Sequence, residues 1–150
     1  EFFEEESCGK CTPCREGLSQ MLRILDSVSK GEAREEDLEV LAELAETARD
    51  SALCALGQTA ANPVLTTLKY FRDEYDAHIK DRKCPAGVCK ALIAYSIDAE
   101  ACTGCTLCAK KCPQSCISGE RKKAHVIDAG KCIKCGVCKD VCNFNAVRIA

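Results

Sequence analysis

An α+β protein in two parts is what this sequence predicts: a small helical bundle, then a pseudo-symmetric domain of short strands and tight loops. Three observations carry that expectation. Apolar residues in the first half recur at helical spacing. The second half repeats itself after 30 residues, with Ser96-Ile-Asp-Ala-Glu-Ala-Cys102 aligning on Val126-Ile-Asp-Ala-Gly-Lys-Cys132. Of 15 cysteines in 150 residues, eleven fall into three tight groups, a density that has to be explained by chemistry.

The helices come first. Leu18, Met21, Leu22, Leu25 and Val28 form the stripe of a helix that begins near Cys14 and stops at Lys30-Gly31. Glu35, Glu36 and Asp37 place negative charge on the first turn of a second helix, whose buried stripe is Leu38, Leu41, Ala45 and Ala48. Asn62-Pro63 reads as an N-cap with proline at the first helical position, opening a third helix with Val64, Leu68, Phe71 and Tyr75 on its apolar face. Beyond them, Ala91 to Ile97 supplies a first strand. Ala124 to Asp128 pairs with Ile117-Ser-Gly119 across the Arg121-Lys122-Lys123 turn, which places His125 on an exposed strand.

Charge divides the chain in the same way. Residues 1 to 80 carry 9 basic and 17 acidic side chains, a balance of −8, and residues 81 to 150 carry 12 and 6, a balance of +6. Opposite signs suit two domains with separate docking surfaces. The acidic first half is a poor match to a phosphate backbone, so no nucleic acid is expected as a partner. No apolar run is long enough to span a bilayer, so no membrane partner is expected either.

Cys102, Cys105, Cys108 and Cys112, followed by Pro113, have the spacing of a bacterial ferredoxin run, and Cys132, Cys135, Cys138 and Cys142 repeat it. In such runs three thiolates wrap one [4Fe–4S] cube and the last cysteine serves the other half. That assigns Cys102, Cys105, Cys108 and Cys142 to one cube, and Cys132, Cys135, Cys138 and Cys112 to the other. Residues 91–150 are therefore expected to form a bacterial 2[4Fe–4S] ferredoxin-like domain. Asn143 replaces the proline in the second run, which loosens a turn without removing a ligand. Cys116 aligns with Ala146; packing is its plain role, ligation or redox sensing the sharper alternative. Structural zinc draws two ligand pairs from separate loops and fits these runs poorly. An odd cysteine total argues against a paired disulfide framework, and no secretory leader precedes Glu1, so a reducing, cytoplasmic compartment is expected.

A third cube is expected in the helical half. Cys8, Cys11 and Cys14 lie on one loop directly before the first helix, and the remote Cys54 completes four ligands. A lone cysteine is more often a small buried hydrophobe, but an incomplete set of thiolates favours ligation. Gly9 and Gly57 let backbone approach such a group closely. Residues 1–78 thus form the helical iron–sulfur domain. Residues 79–90 form a linker, where His78, Cys84 and Cys89 suit a structural zinc ion that would pin the hinge and lacks one ligand of four. The rival reading is a histidine serving the helix terminus and a tight Cys-Pro-Ala-Gly-Val-Cys turn.

Ser7-Cys-Gly-Lys-Cys-Thr-Pro-Cys-Arg-Glu-Gly17, the distance to Cys54, and Leu56-Gly57-Gln58 together resemble one known cluster domain. It is the C-terminal domain of the flavin- and NADH-binding subunit of respiratory complex I, NAD-dependent formate dehydrogenases and NAD-linked hydrogenases. With the appended double-cluster domain, the chain resembles the beta subunit of electron-bifurcating, NADH- and ferredoxin-dependent iron-only hydrogenases and of NADP-reducing ones. The resemblance implies an oxidoreductase segment with three [4Fe–4S] clusters and no catalytic residues of its own, with FMN and NADH held by an upstream domain. No glycine-rich nucleotide fingerprint occurs in these residues. It further implies, as partners, a hydrogenase catalytic subunit, a small thioredoxin-like iron–sulfur subunit and soluble ferredoxin. The alternatives are a segment of a formate dehydrogenase or another NADH–ferredoxin oxidoreductase, a free-standing polyferredoxin, and a zinc-binding interaction module.

Overall fold

In the computed structural model, which describes residues 1–149, the chain divides into two units, Glu1–Leu92 and Ile93–Ala150. The first is helical: α1 (Phe2–Glu5), α2 (Thr12–Lys30), α3 (Glu35–Ser51), α4 (Ala55–Tyr70) and α5 (Arg72–Ile79). Helix α2 ends as its sequence requires. Gly31 turns left-handed at φ 72°, and the amides of Gly31 and Glu32 return to the carbonyls of Val28 and Ser27 at 3.0 and 2.9 Å. Helix α3 starts on a reciprocal cap, in which the Arg34 amide donates to Asp37 Oδ2 at 2.8 Å. Its stripe of Leu38, Leu41, Ala45 and Ala48 is 0% exposed. These residues pack with Leu18, Met21 and Val28 of α2 and with Ala60, Ala61, Val64 and Leu68 of α4.

The third helix departs from expectation. It begins at Ala55, with Cys54 in the cap position, and carries Pro63 in its interior. Proline deletes one amide from the ladder; the hydroxyls of Thr66 and Thr67 bond the Asn62 and Pro63 carbonyls at 2.6 and 2.7 Å. Burial of the small face formed by Ala60 and Ala61 outweighs the local start signal at Asn62-Pro63. The helix then breaks at Phe71 (φ −130°, ψ 35°), which is 52% exposed and no part of an apolar face. Tyr75 belongs to α5 and meets Thr67 Oγ1 through its hydroxyl at 2.9 Å.

The second unit has β1 (Tyr95–Ile97), α6 (Leu107–Lys111), β2 (Ile117–Ser118), β3 (Val126–Ile127), α7 (Val137–Asp140) and β4 (Val147–Ile149). Strand β1 is shorter than the expected 91–97 stretch and pairs antiparallel with β4, Tyr95 opposite Ile149. Strands β2 and β3 pair as the sequence suggests, Ile117 opposite Ile127. Each half is thus strand, short helix, strand, and the first strand of one half closes on the last of the other. Sulfur makes up much of the core, where Cys108, Cys116 and Cys138 pack with Ile117 and Val147. His125 corrects the exposed-strand expectation, being only 2% exposed. Gly119 makes room for it: a Cβ there would lie 2.7 Å from His125 Cγ.

Candidate iron–sulfur and metal centres

Two cavities lie in the second unit. One is lined by Cys102, Cys105, Cys108 and Cys142. The other is lined by Cys132, Cys135, Cys138 and Cys112, with Cys116 beside them. Each cavity therefore collects three sulfurs of one run and the closing sulfur of the other. This follows from local geometry: each run ends in a short helix that buries its third cysteine, Cys108 in α6 and Cys138 in α7. The chain then crosses to the neighbouring half before the fourth.

Electrostatics suit thiolates at the closing positions. Burial pushes the Cys142 thiol up, but the amides of Phe144, Ala146, Val147 and Asn145 more than offset it, and its pKa falls below the usual thiol range. The Ala146 amide donates to Cys142 Sγ at 3.4 Å. Cys112 behaves alike, with burial opposed by Cys116 and by the Gln114 and Ser115 amides. Cys108 and Cys138 go the other way, raised first by burial. Cys116 lies 3.4 Å from Cys112 Sγ, and burial together with that neighbour pushes its pKa up to about 12, which keeps it a thiol. Four unpaired sulfurs around a cavity, with amides aimed at them, are a donor set that fits an iron–sulfur cube.

In the first unit, Cys11 caps α2 and Cys54 caps α4. The Leu53 amide, next in sequence to Cys54, holds the Cys11 thiol below its ordinary pKa. Ser7 Oγ lies 3.2 Å from Cys14 Sγ. Gly57 is needed where α4 passes this loop, because a Cβ would sit 2.6 Å from Ala52 Cβ and 3.4 Å from Cys14 Sγ. Gly9 is left-handed at φ 70°. Cys8 and Cys54 are both exposed.

His78, Cys84 and Cys89 also come together, their ligand atoms lying within 4.8 Å of one another. The His78 Nδ1–H donates to the Glu74 carbonyl at 2.7 Å, and Nε2 meets Cys89 Sγ at 3.3 Å. An outer hydrogen bond of this kind fixes the tautomer of a metal-binding imidazole. Burial pushes Cys84 up, but the Cys89 and Val88 amides more than offset it, bringing its pKa to about 6. Gly87 (φ 67°) closes the turn that returns Cys89 to Cys84. Three donors are one short of a closed zinc site.

Sequence reasoning passed over two residues that line the cavities of the second unit: Tyr95 in one and His125 in the other. They are equivalent positions of the 30-residue repeat; reading that register as well as the cysteines would have found them. No described helix is long and apolar enough to cross a membrane.

Parts of the chain match known families and proteins. Residues 1–78 match the NADH-ubiquinone oxidoreductase-F iron-sulfur binding region, and residues 95–118 and 125–148 each match the 4Fe-4S binding domain. The NADP-reducing hydrogenase subunit HndC of Solidesulfovibrio fructosivorans is 51% identical over 125 residues, 83% of this chain and 26% of that protein. An NADH-quinone oxidoreductase subunit of Streptomyces coelicolor is 46% identical over 85 residues, 57% of this chain and 19% of that protein. The crystal structure of an NAD+-reducing [NiFe]-hydrogenase superposes with a TM-score of 0.51 at 38% identity, over 53% of this chain and 14% of that one. The chain thus spans about a quarter or less of the length of these relatives. It belongs to the family of the NADH-ubiquinone oxidoreductase-F iron-sulfur binding region, the C-terminal part of the NADH-binding subunit of hydrogenases and complex I.

Proposed function

We propose that this chain carries electrons through three [4Fe–4S] clusters, between a flavin and NADH site on an upstream domain and ferredoxin or a hydrogenase partner subunit. The carrying observation is the pair of cavities in the second unit, each lined by three cysteines of one run and the closing cysteine of the other. When bound, such clusters supply one-electron steps, so that a two-electron donor is unloaded one electron at a time. Cys8, Cys11, Cys14 and Cys54 hold the cluster of the first unit, with the Leu53 amide donating toward Cys11. The two runs hold the others, and the amides around Cys112 and Cys142 stabilise their thiolates. The hydrogenase subunit is a better template than complex I because its match covers 125 residues against 85 and so reaches into the second unit. The resulting enzyme is a cytoplasmic, electron-bifurcating hydrogenase, with a catalytic subunit and a thioredoxin-like iron–sulfur subunit beside this one.

The test is metal content. Anaerobically prepared protein is expected to be brown, with about twelve irons and as many acid-labile sulfides per chain. Colourless, sulfide-free material ends the proposal.

His78, Cys84 and Cys89 hold a zinc ion in the same reading, tying the 84–89 turn to the end of α5. Cys84→Ser or Cys89→Ser is expected to release one zinc per chain, measured by elemental analysis, and to leave iron unchanged. Loss of iron with retention of zinc would show that these cysteines serve a cluster.

A further inference from the structure

Within the second unit the two cavities are nearly twins, and one pair of residues breaks the likeness. Tyr95 lines the cavity of Cys132, Cys135, Cys138 and Cys112. Thirty residues on, His125 lines the cavity of Cys102, Cys105, Cys108 and Cys142. The tyrosine is partly exposed, and its oxygen would lie 3.2 Å from a Cβ on Gly136. The histidine is 2% exposed, and its Nε2 is the buried side-chain nitrogen or oxygen without a partner among the described residues.

The backbone accounts for one edge of the ring only. Nδ1 lies 3.2 Å from the Lys123 carbonyl, and a carbonyl can only accept, so Nδ1 carries a hydrogen. Gly119 flanks the ring face, where a Cβ would strike Cγ and Cδ2 at 2.7 and 2.9 Å. Nε2 is left with the cavity. Leaving a buried polar atom unmatched costs about 1–3 kcal/mol, and apart from the cysteines the only other polar side chains in that lining are Thr103 and Thr106. A cube held by four thiolates is anionic, and reduction adds one more negative charge. A ring carrying hydrogen on both nitrogens satisfies both edges and faces that charge with a donor.

We propose that His125 donates an Nε2–H hydrogen bond to the cube held by Cys102, Cys105, Cys108 and Cys142, and so sets that cube's reduction potential above that of its Tyr95-flanked twin. The inference rests on the cluster reading above. A donor stabilises the reduced, more negative state more than the oxidised one, so it draws electrons toward this cube. The two otherwise matched cubes become unequal, and the residue acts by tuning rather than by ligation.

The test uses the cluster-loaded chain, titrated electrochemically while EPR follows each reduced cube. His125→Phe keeps an aromatic ring and removes the donor; one cube is expected to become at least tenfold harder to reduce, about 59 mV for a one-electron couple, with its twin unmoved. His125→Gln, which retains a donor, is expected to fall between. Unchanged potentials in His125→Phe at full iron content overturn the inference, as does an equal shift of both cubes. Should His125→Phe lose its iron, pulsed EPR on unsubstituted, 15N-histidine-labelled protein decides: a histidine nitrogen coupling to one reduced cube is expected, and coupling to neither overturns the inference. Absence of clusters from the unsubstituted protein would instead refute the parent reading.

Discussion

Cys142→Ala is expected to remove about four of about twelve irons and to loosen the whole second unit, although the substitution lies in one half and the vacated cavity belongs mainly to the other. The reason is the crossing. Cys142 follows α7, yet it lines the cavity of Cys102, Cys105 and Cys108, so its sulfur bridges two halves otherwise joined by the short β1–β4 and β2–β3 pairings and a small core. Where metal binding organises a small domain, its free energy is folding free energy. The loss should be visible as reduced iron and sulfide and as earlier thermal bleaching. Cys116→Ala is the control. That thiol is 3.4 Å from Cys112 Sγ and stays protonated, so full iron content is expected. Iron retained in Cys142→Ala but lost in Cys116→Ala would reverse the two assignments.

Leu41→Ala is expected to destabilise the helical unit by about 2–5 kcal/mol, the range for deleting a fully enclosed aliphatic side chain. Leu41 is 0% exposed and sits in the α2–α3–α4 core, where its neighbours Ala45 and Ala48 are too small to fill the void. Val40 precedes it on the same helix and is 45% exposed, so Val40→Ala should change stability by no more than about 0.5 kcal/mol. Urea unfolding followed by helical circular dichroism separates the two; equal midpoints would mean that α3 does not hold the bundle together.

Legibility in the sequence varied with how local the determinant was. Helices α2 and α3 could be read from Leu18–Val28 and Leu38–Ala48 because each stripe and its terminal signals lie within one segment. Helix α4 was misread because Asn62-Pro63 is a strong local start signal. What overrides it is the burial of Ala60 and Ala61, and only the tertiary fold supplies that. The cysteine spacing marked out the sulfurs that line each cavity of the second unit, since ligand geometry constrains spacing directly. His125 was lost for the opposite reason: alternation over a two-residue strand cannot say which face is inward, and the space it fills is made by Gly119, across the hairpin. The meeting of His78 with Cys84 and Cys89 was legible as a triad of donors, but not the Glu74 carbonyl that orients the imidazole.

The antiparallel pairing of Tyr95 with Ile149 has an evolutionary corollary. Because the first and last strands of the second unit are neighbours, the two ends of that unit stand side by side, an arrangement that tolerates grafting onto other chains. Such a cassette can be spliced behind a host without reshaping its interior.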